Sequence, residues 1–162
     1  MPDYINPNLN PQGAVKALPI IHLGLLMGQV LFAIVVYYIT PQKGFSLNEN
    51  DPFVFVAIAL AAGGFIGGNL IFKQTLAKIP PDATLSQKIA AYQTAFIIRA
   101  ALMEGPSLFS IVVYMLGGNL FFLAVTALIV LYFITFRPTK EKITADLNLD
   151  YSEKTALDSQ VN

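Results

Sequence analysis

Cysteine and tryptophan are both absent from the 162 residues, and there is a single histidine. Without cysteine there are no disulfides, no thiolate metal sites and no cysteine nucleophile. Charge is scarce: 12% of residues are Asp, Glu, Lys or Arg, against about 25% in an ordinary soluble domain. The ten basic residues are matched by ten acidic ones, so no basic excess points to nucleic acid. One histidine and scattered acids do not supply a metal-ligand cluster, and no nucleophile, base and orienting group come together in the sequence. No catalytic residue, metal or cofactor is therefore expected, and the chain is not read as an enzyme. The N-terminus lacks a basic stretch followed directly by a short apolar core and a small-residue cleavage site. No removable signal peptide is read there, and the first span is expected to act as the targeting signal.

What the sequence has instead is apolar length: 55% of its residues are hydrophobic. Four stretches read as spans, from about residue 18 to 38, 52 to 72, 85 to 116 and 120 to 136. Asp51-Pro52 reads as an acidic cap followed by proline at the first helical position. Thr84 with Gln87 has the spacing of a capping box. Leu116-Gly117-Gly118-Asn119 reads as a tight turn, with glycine free to end the third helix in a left-handed conformation. At 1.5 Å per residue helix three would be about 48 Å long, more than the roughly 30 Å hydrocarbon layer, so its first turns should protrude into water. The expected architecture is all-α: a four-helix transmembrane bundle of two tandem helical hairpins. A polar segment (1–17) precedes the membrane domain (18–136). A polar tail (137–162) follows it and is expected to be mostly disordered, with room for one short helix.

Two features support the tandem arrangement. Residues 21–38 align without gaps on 98–115, with identities that include Gly28/Gly105, Phe32/Phe109, Val36/Val113 and Tyr37/Tyr114. The repeats run over 18–79 and 85–143, and parallel repeats of this kind share an axis along the membrane normal. Lys16, Lys73, Lys78, Lys88, Arg137, Lys140, Lys142 and Lys154 fall on one side of a four-span layout and only Lys43 on the other. The positive-inside bias then places both termini and the extended end of helix three in the cytoplasm, as expected for an integral protein of a bacterial inner membrane. Arg99, Lys73 and Arg137 are the expected cytoplasmic anchors.

Span two carries two adjacent ridges of small residues, Ala57-Ala61-Gly64-Gly68 and Ala59-Gly63-Gly67. Small ridges let helices approach closely in lipid, within one chain or between copies. Gly28 and Gly105, equivalent in the repeat, are expected to pack in the same way. Glu104 lies about nine residues beyond Ala95, roughly 13 Å into the apolar layer. An acid at that depth is costly and is by default a functional candidate. Ala101, Glu104, Ser107 and Ser110 fall at steps of three and form a stripe of small and polar residues. A neutral Glu104 would bond a backbone carbonyl or Asn69 of span two, and Asn69 and Gln29 read first as ties between helices. Pro106 cannot donate its N–H to the Leu102 carbonyl, and a kink is expected there. Glu104 is open to two readings, a buried structural acid or an ion-binding carboxyl group.

Ala61 to Met115 resembles the hairpin of the proteolipid c subunit of rotary ATP synthases and vacuolar-type ATPases. The parts that carry the resemblance are the glycine-rich AAGGFIGG, the polar loop from Lys73 to Thr84, and Glu104 within LMEGPSLFSIVVYML. The polar loop reads KQTLAKIPPDATLSQK where that family has an Arg-Gln-Pro type signature. The resemblance implies a ring of copies in which Glu104 takes and releases a proton or sodium ion; Ser107 and Asn69 are the other candidate ion-binding residues read from the sequence. The reading from the residues alone is a small structural or accessory protein of the lipid bilayer, packed through its glycine faces, as a homo-oligomer or among other membrane subunits.

Overall fold

The computed structural model describes residues 11–47 and 50–159. It holds six helices: α1 (Pro11–Ile39), α2 (Pro52–Ala77), α3 (Leu85–Gly117), α4 (Leu120–Thr135), α5 (Lys140–Asp146) and α6 (Tyr151–Ser159). No strand occurs among the described residues. α1, α2 and α3 are each long and apolar enough to cross a membrane, and α4 joins them if it is counted together with α5, from which it is bent by 78°. α3 lies at the centre. Its most apolar window is 44% buried, against 17% for α1 and 22% for α2, and α1, α2 and α4 all pack on it. The outward faces carry Leu31, Val35, Phe55, Ile66, Leu128 and Leu131 exposed. That is the surface a helix presents to lipid rather than to water.

The helix starts follow from local chemistry. The Asp51 carboxylate accepts from the Phe53 N–H, with Pro52 opening α2. Thr84 and Gln87 make both bonds of a capping box on α3. Gly118 ends α3 with φ of 72°, and the Asn119 side chain caps α4. α1 begins at Pro11, seven residues before the expected start, and Pro19 lies well inside it. The earlier turns are helical because Ala14, Val15 and Leu18 fall on one face and are buried, so packing overrides a composition that reads as polar. Of the expected N-terminal segment, residues 1–10 lie outside the described residues.

The tail differs most from expectation. Instead of mostly disordered chain it forms α5 and α6. Thr139 caps α5, Asp150 and Glu153 bond reciprocally at the start of α6, and Ile143, Leu147, Leu149 and Leu157 are buried. Lys88, in the first turn of α3, bonds Glu153 at 2.6 Å.

Helix pairing departs from two self-contained hairpins. α3 and α4 pack together, but α1 and α2 share no substantial interface; α2 packs chiefly on α3. The cause is the inner ridge of α2. Ala57 is fully buried, and Gly64 and Gly68 lie against Leu102, Pro106 and Arg99. Opposite the basic end, the α1–α2 loop is laced to the α3–α4 turn. Lys43 N–H donates to the Gly118 carbonyl at 3.0 Å and Leu120 N–H to the Gly44 carbonyl at 2.9 Å. Asn119 exchanges two further bonds with the Ser46 backbone. α1 and α3 therefore run parallel, and α4 antiparallel to both.

Candidate functional site

The polar residues of the spans separate into two groups on opposite sides of α3. Leu102 and Pro106 face α2. Glu104 is two residues from each, about 200° around the helix at 100° per residue, so it points away from α2. It is half-buried, and among the described residues it has no hydrogen-bond or ion-pair partner. Asn69, on α2, is committed elsewhere. Its amide nitrogen lies 2.6 Å from the Phe65 carbonyl, and the Tyr132 hydroxyl is 3.0 Å from its amide oxygen. The expected ligand set is thus not gathered: Ser107 is on the same side of α3 as Glu104, and Asn69 is not.

Tyr132 of α4 is the residue that sequence reasoning missed. Arg99 of α3 donates to its hydroxyl at 2.9 Å. The same hydroxyl lies 2.7 Å from Asn69 Nδ2, which can donate to it, and 3.0 Å from Oδ1, which can accept from it. The polar chain Arg99–Tyr132–Asn69 ties α3, α4 and α2. The Arg99 guanidinium does not extend freely to the surface as an anchor would. It lies between aromatic rings, 4.4 Å from the Phe136 centroid and 5.1 Å from that of Phe72, distances typical of cation–π contact. Lys73 and Arg137 are exposed at the same end.

On the other side of α3, polar groups are buried against α1 and α4. His22 Nε2 lies 2.9 Å from the Phe133 carbonyl. Gln29 is seven residues beyond His22, and Thr126 is seven before Phe133. Seven residues are two turns on the same stripe, about 10 Å, so Gln29 and Thr126 share a level in antiparallel helices. Thr126 donates to the Ser107 carbonyl at 3.3 Å, which brings α3 to that level too. Gln29, Ser107 and Ser110 are fully buried, as is Tyr114 further along α3. Their side-chain polar atoms have no hydrogen-bond partner among the described residues. Buried polar groups are normally paired, so this seam is the most unusual polar feature of the interior. Glu104 sits beside it, one turn from Ser107.

His22 has a clear local role. The last four carbonyls of a helix lack partners within it, and each of those of α4 finds one nearby. Phe133 is met by His22, Thr135 by Lys142 at 2.5 Å, Tyr132 by the Thr135 hydroxyl and Ile134 by the Phe136 N–H.

The packing glycines also divide. A Cβ on Gly64 would collide with the Leu102 carbonyl, and one on Gly68 would lie 3.4 Å from Arg99 Cγ. Gly28, Gly63, Gly67 and Gly105 meet nothing within 4 Å; within this chain they are open positions, not contacts. α3 continues through Pro106 without a break. Among the described residues no three His, Asp or Glu side chains are gathered to hold a metal. No family model, curated protein or solved structure matches the chain.

Proposed function

We propose that the chain is an integral membrane protein of structural or accessory type. It crosses the bilayer four times with both termini in the cytoplasm, and it presents its folded tail there as a fixed surface. One observation carries this reading. Polar side chains within the long helices tie one helix to another, as in Arg99–Tyr132–Asn69 and in His22 with the Phe133 carbonyl. Polar contacts of this kind hold helices together in lipid, where apolar surface alone gives no preference for protein over acyl chain.

A second reading has its own support. Glu104 adjoins the seam of unpartnered Gln29, Ser107 and Ser110, and the stretch from Ala61 to Met115 resembles the proteolipid c subunit. On that reading Glu104 binds a proton or sodium ion in an oligomer, with Ser107 as its neighbour. The two readings separate with dicyclohexylcarbodiimide on the purified protein. The structural reading expects no modification of Glu104, and an unchanged melting temperature and native mass in Glu104→Gln. Slow modification of Glu104 that sodium or raised pH blocks would overturn it in favour of the ion site.

A further inference from the structure

At the basic end, where α2, α3 and α4 meet the start of the tail, there is a cavity of about 520 Å³. Its lining includes Arg99, Lys73 and Lys142 as cations, Asp146 as the one acid, and Tyr92 and Asn69. This volume lies in the range of small-molecule sites, roughly 300–1,000 Å³. Three positive groups against one negative leave the cavity cationic. Asp146 does not neutralise it by pairing: its carboxylate lies beside the Tyr92 hydroxyl, and the one salt bridge among the described residues is Lys88–Glu153.

Arg99 makes the cavity more than a basic surface patch. Phe72 and Phe136 cover its guanidinium, so the N–H groups in its plane are the donors left to use. One is given to Tyr132. Nε is buried with no partner among the described residues. A guanidinium held in an apolar setting without an anion is costly, and its planar fork suits two oxygens of one oxyanion. Lys142 spends one N–H on the Thr135 carbonyl and keeps two, and Lys73 adds a second mobile charge. The cavity stands at the junction of the apolar helices with the polar tail, where bilayer phosphates would lie on the membrane reading proposed above.

We propose that this cavity is a binding site for a phosphate group, with Arg99 as the fixed fork and Lys73 and Lys142 as the flanking charges. The ligand is a phosphate oxyanion, carried by an anionic phospholipid headgroup or present as free phosphate. The site does not depend on Glu104, so it stands or falls apart from either reading of the membrane interior.

Native mass spectrometry of the full chain in detergent tests this, with phosphatidylglycerol, phosphatidylcholine and inorganic phosphate as probes. Retention of phosphatidylglycerol over phosphatidylcholine, undisturbed by millimolar phosphate, identifies the headgroup. Displacement of the lipid by phosphate, or binding of phosphate alone, identifies the free ion. Either result supports the site if Arg99→Gln weakens it by about tenfold or more, as expected for loss of a charged hydrogen-bonding partner. Arg99→Lys should keep the charge and lose the fork, giving an intermediate affinity. Lys142→Gln, at the rim, should weaken binding without disturbing the cage, which guards against misfolding of the Arg99 variants. Lys154→Gln, in α6 and outside the cavity, should bind as the parent does. The proposal is overturned if no probe binds, or if Arg99→Gln and Lys142→Gln bind as tightly as the parent.

Discussion

Pro106 removes an N–H from α3, and the effect is felt on α2. The freed Leu102 carbonyl lies directly over Gly64, where no side chain fits, so the proline and the glycine belong to one contact. Gly64→Ala should therefore lower stability by about 1–3 kcal/mol, the usual cost of overpacking a tight contact. Gly63→Ala, one residue away in open space, should leave the melting temperature in detergent unchanged or slightly raised. Equal effects at the two positions would contradict the packing described. Tyr132→Phe removes the hydroxyl between Arg99 and Asn69. It should cost about 1 kcal/mol by removing a hydrogen-bond partner from two half-buried side chains, read in the same melting assay. Little of this was legible in the sequence. Glu104, Ser107 and Asn69 were visible as polar residues in apolar runs. That Asn69 turns to Tyr132 depends on which face of α2 meets α3 and α4, and one sequence does not fix this.

Among the elements, starts and stops were legible where a local side chain sets them. Asp51-Pro52, Thr84 with Gln87, and Gly118-Asn119 each mark the boundary the structure has, because a cap needs only neighbours in sequence. The first turns of α1 and both tail helices were not. They form because Ala14, Leu18, Ile143 and Leu157 are buried by distant partners, although the spacing of Ile143 and Leu147 was a usable signal. The tail also gives a pH prediction. Asp150 is held below the usual carboxylate range, first because it accepts the Glu153 N–H and then the Ser152 hydroxyl. A folded-state value below the unfolded one means the carboxylate stabilises α6 above the unfolded range. That contribution fades as acid protonates it. Amide protection factors in α6 should fall as pH drops through the carboxylate range, and should already be low at neutral pH in Asp150→Ala. Protection independent of both would show that α6 is held without its cap.

For the whole molecule, α3 is the axis and the other spans are arranged around it. The apparent repeat between residues 21–38 and 98–115 does not yield two equivalent hairpins, because α2 gives its small-residue face to α3 and not to α1. The two loops at the Lys43 end are bonded to each other, while Lys73, Lys88, Arg137 and Lys142 lie toward the other end with the tail. The exposed apolar flanks between these ends are what a bilayer would cover. The absence of native cysteine allows a direct test of this arrangement. Ser46→Cys, Lys78→Cys and Lys154→Cys would be made singly and treated in intact cells with a membrane-impermeant maleimide. The account predicts labelling at position 46 in intact cells, and at 78 and 154 only after the membrane is opened. Labelling of 46 and 78 from the same side would contradict the crossing of α2, and with it the four-span bundle built around α3.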